Sequence, residues 1–402
     1  MARSRIACEL FLVLWLALAL LPLPALAVGS SCPTADAAAQ VAREAGQHWK
    51  KVLDGRADAN ANEVSAPERE AISAYKKALG DAIDARLACS GEKTNPAALR
   101  RTLATALGET AQWPAPAGRL SMDVEVQRST APRLLMLVRV GFEIPCSNDN
   151  LLVGYAWQQG GWQRVLDWQS GAYDLISGAY GDGLSFVALP GGQVVVVHGT
   201  PWDMSSWSRF HAYVIAPANG ATAQRVLFHM QAGYFRDSDD WIQLKKVPGG
   251  FQLRTIVHAA DAAVLTRPGI FRYRVDGETV QRVQPVAANG RDFVDEWLKQ
   301  DDALARAWSD PAAADAVVQA RRQLWMQYQA NEEILFRYGP VRACAGGLNR
   351  YQVEIEFYDD INKSPQIWYA LIRQGKNGFT MLRLGATPDA ACKGPDLIPG
   401  PQ

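Results

Sequence analysis

Gln163-Arg164-Val165-Leu166 recurs as Gln224-Arg225-Val226-Leu227 and a third time as Gln281-Arg282-Val283, at steps of 61 and 57 residues. A second anchor runs in the same phase. Leu189-Pro190-Gly191-Gly192 returns 58 residues later as Val247-Pro248-Gly249-Gly250, each time ahead of an apolar run. Around these anchors the chain alternates short stretches rich in Val, Tyr, Phe and Trp with Gly, Pro, Asn and Asp, which is the texture of antiparallel sheet. Each repeat divides into four strands. They are expected near 121–127, 134–140, 152–157 and 162–168, then near 185–189, 193–198, 210–215 and 224–229. The third unit follows at 242–247, 251–257, 271–275 and 279–283.

Repeated four-stranded meanders of about 40 to 60 residues are similar in architecture to propeller blades. No WD or kelch motif accompanies them, and three units do not close a ring. The expected fold is therefore α+β. A helical bundle or hairpin spans 28–117, a repeated β domain 118–287, helices 288–340, and a disulfide-stapled β piece 341–402.

The flanking segments read as helix. Residues 36–53 carry Val41, Trp49 and Val52 among many Ala, with Asp36 as the expected N-cap. Ser65-Ala66-Pro67-Glu68 is a capping box opening a helix whose Ile72, Tyr75, Leu79, Ile83 and Leu87 form one apolar face. Asn95-Pro96 opens a third, with Leu99, Leu103 and Leu107. After the repeats, Phe293, Val294, Trp297 and Leu298 make a stripe, and Ser309-Asp310-Pro311 is read as opening a helix through Leu335. Three strands are expected after Gly339-Pro340, at 351–357, 367–373 and 379–384, the last two joined at Asn377-Gly378. That piece is either a fourth unit lacking its first strand or a separate small domain.

Residues 1–27 have the form of a secretory signal. Arg3 and Arg5 precede an apolar run from Leu10 to Leu21, and Ala25-Leu26-Ala27 is a small-x-small cleavage site. A periplasmic or secreted protein is expected, with no membrane span after cleavage. Export makes disulfides the default for Cys32, Cys89, Cys146, Cys344 and Cys392. If the first two long helices form an antiparallel hairpin, Cys32 lies beside Cys89. Cys344 and Cys392 flank the last three strands, so a bridge would staple their ends. Cys146 is left as a small buried apolar residue.

With 48% hydrophobic residues the chain can fill sizeable cores, and 41 basic residues balance 41 acidic ones. This balance argues against a nucleic-acid partner held by phosphate contacts. No G-x-S-x-G, H-E-x-x-H, P-loop or Rossmann fingerprint occurs, so no catalytic residue, metal or cofactor is assigned. Cys146, His198 and Asp203 can be written as a nucleophilic site, but only because suitable residue types exist. His198, His211, His229 and His258 fall at or near strand ends, where each reads singly as a hydrogen-bonded structural histidine. Asp237-Ser238-Asp239-Asp240 lacks the glycine and distal Glu of a calcium loop and reads as a solvated turn.

Tryptophan is the oddity of composition. Trp157, Trp162 and Trp168 fall on strands and are expected in the core, whereas Trp202 and Trp207 fall in a loop. In an up-down meander, the loops between second and third strands and the links between units emerge at one end. That end would gather Trp202, Trp207, Trp241, Tyr173, Tyr180 and Tyr234 with Asp237, Asp239 and Asp240. The expected function is a non-enzymatic exported binding protein whose aromatic-acidic loop face takes a glycan, a peptide or a cell-envelope protein. The alternative is a periplasmic or extracellular hydrolase of glycan or peptide, using carboxylates of the same face.

Overall fold

In the N-terminal segment the helix signals fix where each helix begins. α1 (Pro33–Asp54), α2 (Ala66–Ala88) and α3 (Pro96–Leu107) come first in the computed structural model. The structure describes residues 32–56, 65–110, 120–130, 132–144, 147–169, 184–200, 207–220, 222–235, 242–261, 264–283, 287, 289–330, 335–346, 349–358, 364–376 and 378–398. The expected signal peptide and Cys146 lie outside these residues. In α2 the Ser65 hydroxyl accepts from Glu68 N while the Glu68 carboxylate accepts from Ser65 N, the reciprocal capping box. The Asn95 side chain accepts from the amides of Ala97 and Ala98 to start α3. α1 departs from expectation. It starts at Pro33 with Cys32 at the cap, so Asp36 lies in the first turn, where it pairs with Arg86 of α2 at 2.7 Å. Val41 is also displaced: it is 57% exposed, because small residues (Ala35, Ala39, Ala42 and Gly46) form the buried face of α1 instead.

Among the described residues sixteen strands follow, in four four-stranded antiparallel meanders, each in sequence order. Sheet 1 contains β1 (Met122–Ser129), β2 (Leu135–Ile144), β3 (Ser147–Gln158) and β4 (Gly161–Gln169). Sheet 2 contains β5 (Leu184–Ala188), β6 (Val194–Thr200), β7 (Trp207–Ala216) and β8 (Arg225–Phe235). Sheet 3 contains β9 (Gln243–Val247), β10 (Gly250–His258), β11 (Thr266–Asp276) and β12 (Thr279–Arg282). Among the described residues, α4 (Gly290–Lys299), α5 (Asp302–Ala307) and α6 (Ala314–Ala330) then intervene. Sheet 4 closes the order with β13 (Leu335–Ala343), β14 (Arg350–Tyr358), β15 (Gln366–Gly375) and β16 (Gly378–Gly385).

The last piece is therefore a complete four-stranded unit, not three strands, and the helix expected through Leu335 ends at Ala330. Gly339-Pro340 lies inside β13 rather than marking a boundary. Proline has no N–H for a ladder, so it is confined to edges and bulges. β13 is an edge strand and its register shifts between Tyr338 and Val341. Among the described residues the four sheets are separate meanders, with no closed sheet.

Both sequence anchors have a structural reason. The Gln-Arg-Val motif falls at the fourth strand of each of the first three sheets: within β4, at the start of β8 and at the end of β12. The Pro-Gly-Gly motif forms the hairpin between first and second strands. There Gly192 has φ +87° and Gly249 φ +72°, a conformation that L side chains resist.

Packing is face to face. Met136, Val138, Val140 and Phe142 of sheet 1 pack on Trp49, Ile72, Leu79 and Leu103 of the N-terminal helices. Leu137, Leu152, Leu166 and Trp168 turn the other way, onto Val194 and Val196 of sheet 2. Val195 and Val197 then meet Phe251, Leu253 and Phe271 of sheet 3. The four-valine run of β6 is thus explained, because sheet 2 is buried on both faces. Sheet 4 packs its Val353, Ile355, Ala370 and Ile372 on Phe293, Trp297 and Leu298 of α4.

A buried ion network joins sheet 3, α4 and sheet 4. Arg267 Nε meets Asp295 Oδ2 at 2.5 Å, and Arg267 Nη2 meets Glu296 Oε2 at 2.5 Å. Arg282 and Lys299 complete the carboxylates at 2.6 and 2.9 Å, and the Tyr338 hydroxyl donates to Asp295 at 3.2 Å. Disulfides join Cys32 to Cys89, across the α1–α2 pair, and Cys344 to Cys392, across the ends of sheet 4. Among the described residues no helix is long and apolar enough to cross a membrane.

Candidate functional site

The antiparallel order of each meander sends the links after its first and third strands to one end, and the link after its second strand together with the connection to the next sheet to the other. The first of these ends meet in space for sheets 1 to 3. Arg133 Nη2 donates to Ala218 O at 2.8 Å, Gln193 Nε2 to Gly277 O at 2.5 Å, and Arg225 pairs with Glu278. The ends of β2, β4, β6, β8 and β10 therefore lie together at the opposite end, called the long-link end for the connection from Gln169 of β4 to Leu184 of β5; β2 and β3 join there directly, Ile144 pairing with Ser147.

That opposite end carries rings. β4 ends near Trp168, β6 near His198, and β10 at His258, while β7 begins at Trp207 and β8 ends at Phe235. The Trp168 and His198 rings meet edge to face, with centroids 5.0 Å apart, which ties sheet 1 to sheet 2. His198 stacks on His211 at 5.2 Å, and His211 lies parallel to His229 at 5.1 Å. Tyr213 stacks on His229 at 4.5 Å. The register produces this ladder: His198 is directly opposite His211, and Tyr213 opposite His229, while residues 211 and 213 share a side of β7. A second group joins sheets 2 and 3, where Trp207 packs on Phe235 at 5.1 Å and on His258 at 5.5 Å.

Burial favours the neutral form of His198, His211 and His258. His198 is pushed down to about 4, first by burial and further by His211, His229 and Lys76, with partial relief from the Gly199 carbonyl. That carbonyl accepts from His198 Nδ1 at 2.9 Å, so the neutral ring keeps its lone pair on Nε2. His211 is lowered by burial, then by His229 and Arg209; His258 is lowered by burial, then by Lys299. His211 Nδ1 and His229 Nε2 are 2.8 Å apart, one ring donating its N–H and the other accepting. Such a set presents flat faces and uncharged donors and acceptors. Among the described residues, no three His, Cys, Asp or Glu converge to hold a metal ion.

Of the sequence-derived site residues, Trp207 and Tyr234 are within the described set. Trp202, Trp241, Tyr173, Tyr180, Asp237, Asp239 and Asp240 lie outside it, as do Cys146 and Asp203. Trp207 opens β7 rather than sitting in a loop, and it is half-buried against Phe235 and His258. Tyr234 is fully buried between sheets 2 and 3, where it packs against Phe210. It offers no stacking surface, because alternation along β8 turns residue 234 to the sheet-3 side while Phe235 takes the other. Trp162 and Trp168 are buried and Trp157 packs on the first core, as expected of strand tryptophans.

Reading the histidines one at a time missed the ladder. The signal was a spacing: residues 211 and 229 flank one hairpin, and 198 and 211 flank the preceding link. Also unforeseen was a cavity of about 320 Å³ between α1, α2 and β1, lined by Arg43, Gly46, Lys50, Tyr75, Leu107 and Met122. Its two cations are already matched, Arg43 by the Ala106 carbonyl and Lys50 by Asp54. No protein-family model matches the chain, and no curated protein is similar to it in sequence.

Proposed function

We propose that the protein is an exported, non-enzymatic binding protein that recognises a glycan or peptide at the long-link end of a blade-like stack of sheets. The observation that carries this reading is the concentration of rings there. Four imidazoles, two tryptophans, Phe235 and Tyr213 run from that end into strands of three sheets. Rigid strands holding aromatic and uncharged polar groups are well suited to stacking on a sugar ring or an aromatic peptide side chain. Export is supported by the two disulfides, which persist in oxidising compartments.

The test is tryptophan fluorescence of the mature chain titrated with a panel of oligosaccharides and short peptides. Quenching by a member of the panel is expected, and a Trp202→Ala, Trp207→Ala double variant should abolish it. Trp162→Ala, at a tryptophan buried in the core with the N-terminal helices, serves as the control for core loss, at about 3–5 kcal/mol. Quenching that persists in the double variant, or its absence across the panel, refutes the reading.

A further inference from the structure

The outward face of sheet 3 is a second surface, independent of the ring-bearing end. Register defines it. Gln252 is directly opposite Lys245 on one side and Arg272 on the other, so the three share a face. Arg254 and Arg274 lie two residues from Gln252 and Arg272 along their strands and join that face. Arg274 is opposite Gln281, and Asp276 opposite Thr279, at the β11–β12 hairpin. The other side of the same strands, Phe251, Leu253, Phe271 and Tyr273, is the buried core with sheet 2.

Four cations thus occupy a patch of about 10 by 14 Å, taking about 4.8 Å between strands and about 3.4 Å per residue. Many arginines elsewhere are matched by acid: Arg139 by Asp123 and Glu125, Arg164 by Asp84 and Asp167, Arg321 and Arg322 by Asp302. Those here are not. Among the described residues, Arg272 and Arg274 donate only to the neutral amides of Gln252 and Gln281, at 3.0 and 2.8 Å. Among the described residues, Lys245 and Arg254 make no ion pair or hydrogen bond and are exposed. Cations this close lie within or near one Debye length, about 8 Å at physiological salt, and repel one another until an anion is added.

The face also has a recess. A cavity of about 140 Å³ is lined by Arg274, Asp276, Thr279 and Gln281. At about 30 Å³ per water it has room for four or five waters, or one small polar ring. Its chemistry is mixed. Arg274 is a planar fork for a carboxylate, Asp276 accepts hydroxyls, and Thr279 and Gln281 both donate and accept. Asp276 opposes a bare phosphate but suits a hydroxylated acid. Among the described residues no Phe, Tyr or Trp lies on this face, and His258, which register puts at its far end, is packed against Trp207; the cations have no ring beside them to stack a nucleobase or anchor a protein interface. We infer that the outward face of sheet 3 binds a carboxylate-bearing polysaccharide, one acidic sugar seated in the Arg274–Asp276 recess and the chain running over Arg272, Lys245 and Arg254.

Binding of polygalacturonate to the mature chain, measured by titration calorimetry, tests this. Duplex DNA and neutral dextran are the comparison ligands. Polygalacturonate should bind, weaken as salt is raised, and exceed both others. A Lys245→Gln, Arg254→Gln, Arg274→Gln variant should bind about tenfold more weakly or worse, a loss of about 1.4 kcal/mol. Unchanged far-ultraviolet circular dichroism and unfolding midpoint verify its fold, and the single variant Arg274→Gln gives a milder loss in the same direction. Equal or tighter binding of DNA, unchanged affinity in the triple variant, or no binding of polygalacturonate each overturns the inference. The Trp202→Ala, Trp207→Ala variant should bind polygalacturonate as the wild type does, so this surface and the ring-bearing end fail or stand separately.

Discussion

Acid should destabilise this protein through His198. The ring is buried against Trp168 and Tyr213, and its folded value of about 4 lies below the ordinary 6.5. A base with a depressed folded value contributes stability that is fully present above 6.5 and is lost as pH falls through 4. Two and a half units at about 1.4 kcal/mol each give a loss of about 3 kcal/mol across that window. This is a large share of the 5–15 kcal/mol typical of a folded domain. His211 and His258 are depressed too and add in the same direction. Asp292 acts oppositely: burial raises its carboxyl to about 6, so its ionisation opposes folding at neutral pH and that cost is relieved on acidification. Urea unfolding of wild type and His198→Gln, at several values between pH 7.5 and 4, separates these contributions. The variant should be less stable than wild type at neutral pH, having lost ring packing, but the gap should narrow by about 3 kcal/mol as pH approaches 4. A gap that stays constant with pH would show that His198 is not held neutral by the fold, and the argument would fail.

Asp292→Asn should remove the opposite effect, stabilising the protein at pH 7.5 by up to about 3 kcal/mol with no gain near pH 4, as urea midpoints at both values will show. Arg267→Met should cost about 3–5 kcal/mol because it leaves Asp295 and Glu296 buried without their shared partner, and adding Asp295→Asn should recover part of the loss in a double-mutant cycle. Gln224→Ala should cost about 1–2 kcal/mol, since its side-chain amide accepts from Asp167 N at 2.7 Å and donates to Asp167 O at 2.8 Å; a midpoint within error of wild type would refute a docking role.

The strand pattern of sheets 1 to 3 was legible because period-two alternation, hairpin glycines and a repeated motif all coincided. β13 was not, because Leu335–Ala343 contains Gly339 and Pro340, which read locally as a break. Its edge position and bulge, properties of the tertiary arrangement, are what permit it. Asp36 failed as a cap for a related reason. A proline at Pro33 pre-sets the first turn, and the disulfide partner Cys32 is fixed by α2 rather than by local propensity. The candidate site was legible as a place and not as a set of residues. Topology alone located the long-link end, but which rings meet there depends on register. One residue of slip would turn His211 and His229 to the opposite face. Tyr234 shows the cost of ignoring that parity.

Apart from Gln281, which lines the recess of sheet 3, the repeated residues lie away from the candidate surfaces, which bears on how the repeat should be read. Gln224 binds the edge of sheet 1, Arg225 meets Glu278 of sheet 3, and Arg282 meets Glu296 of α4. Arg164 likewise meets Asp84 of α2. Each copy of the motif therefore docks its sheet on a neighbouring element. A motif retained for ligand contact would place its side chains on one shared surface, whereas these point to four different partners. The residues that vary between units include the packed rings of His198, His211 and Trp207 and the exposed Lys245–Arg254 face. The repetition explains the scaffold, and the proposed recognition rests mainly on side chains outside the repeated motif.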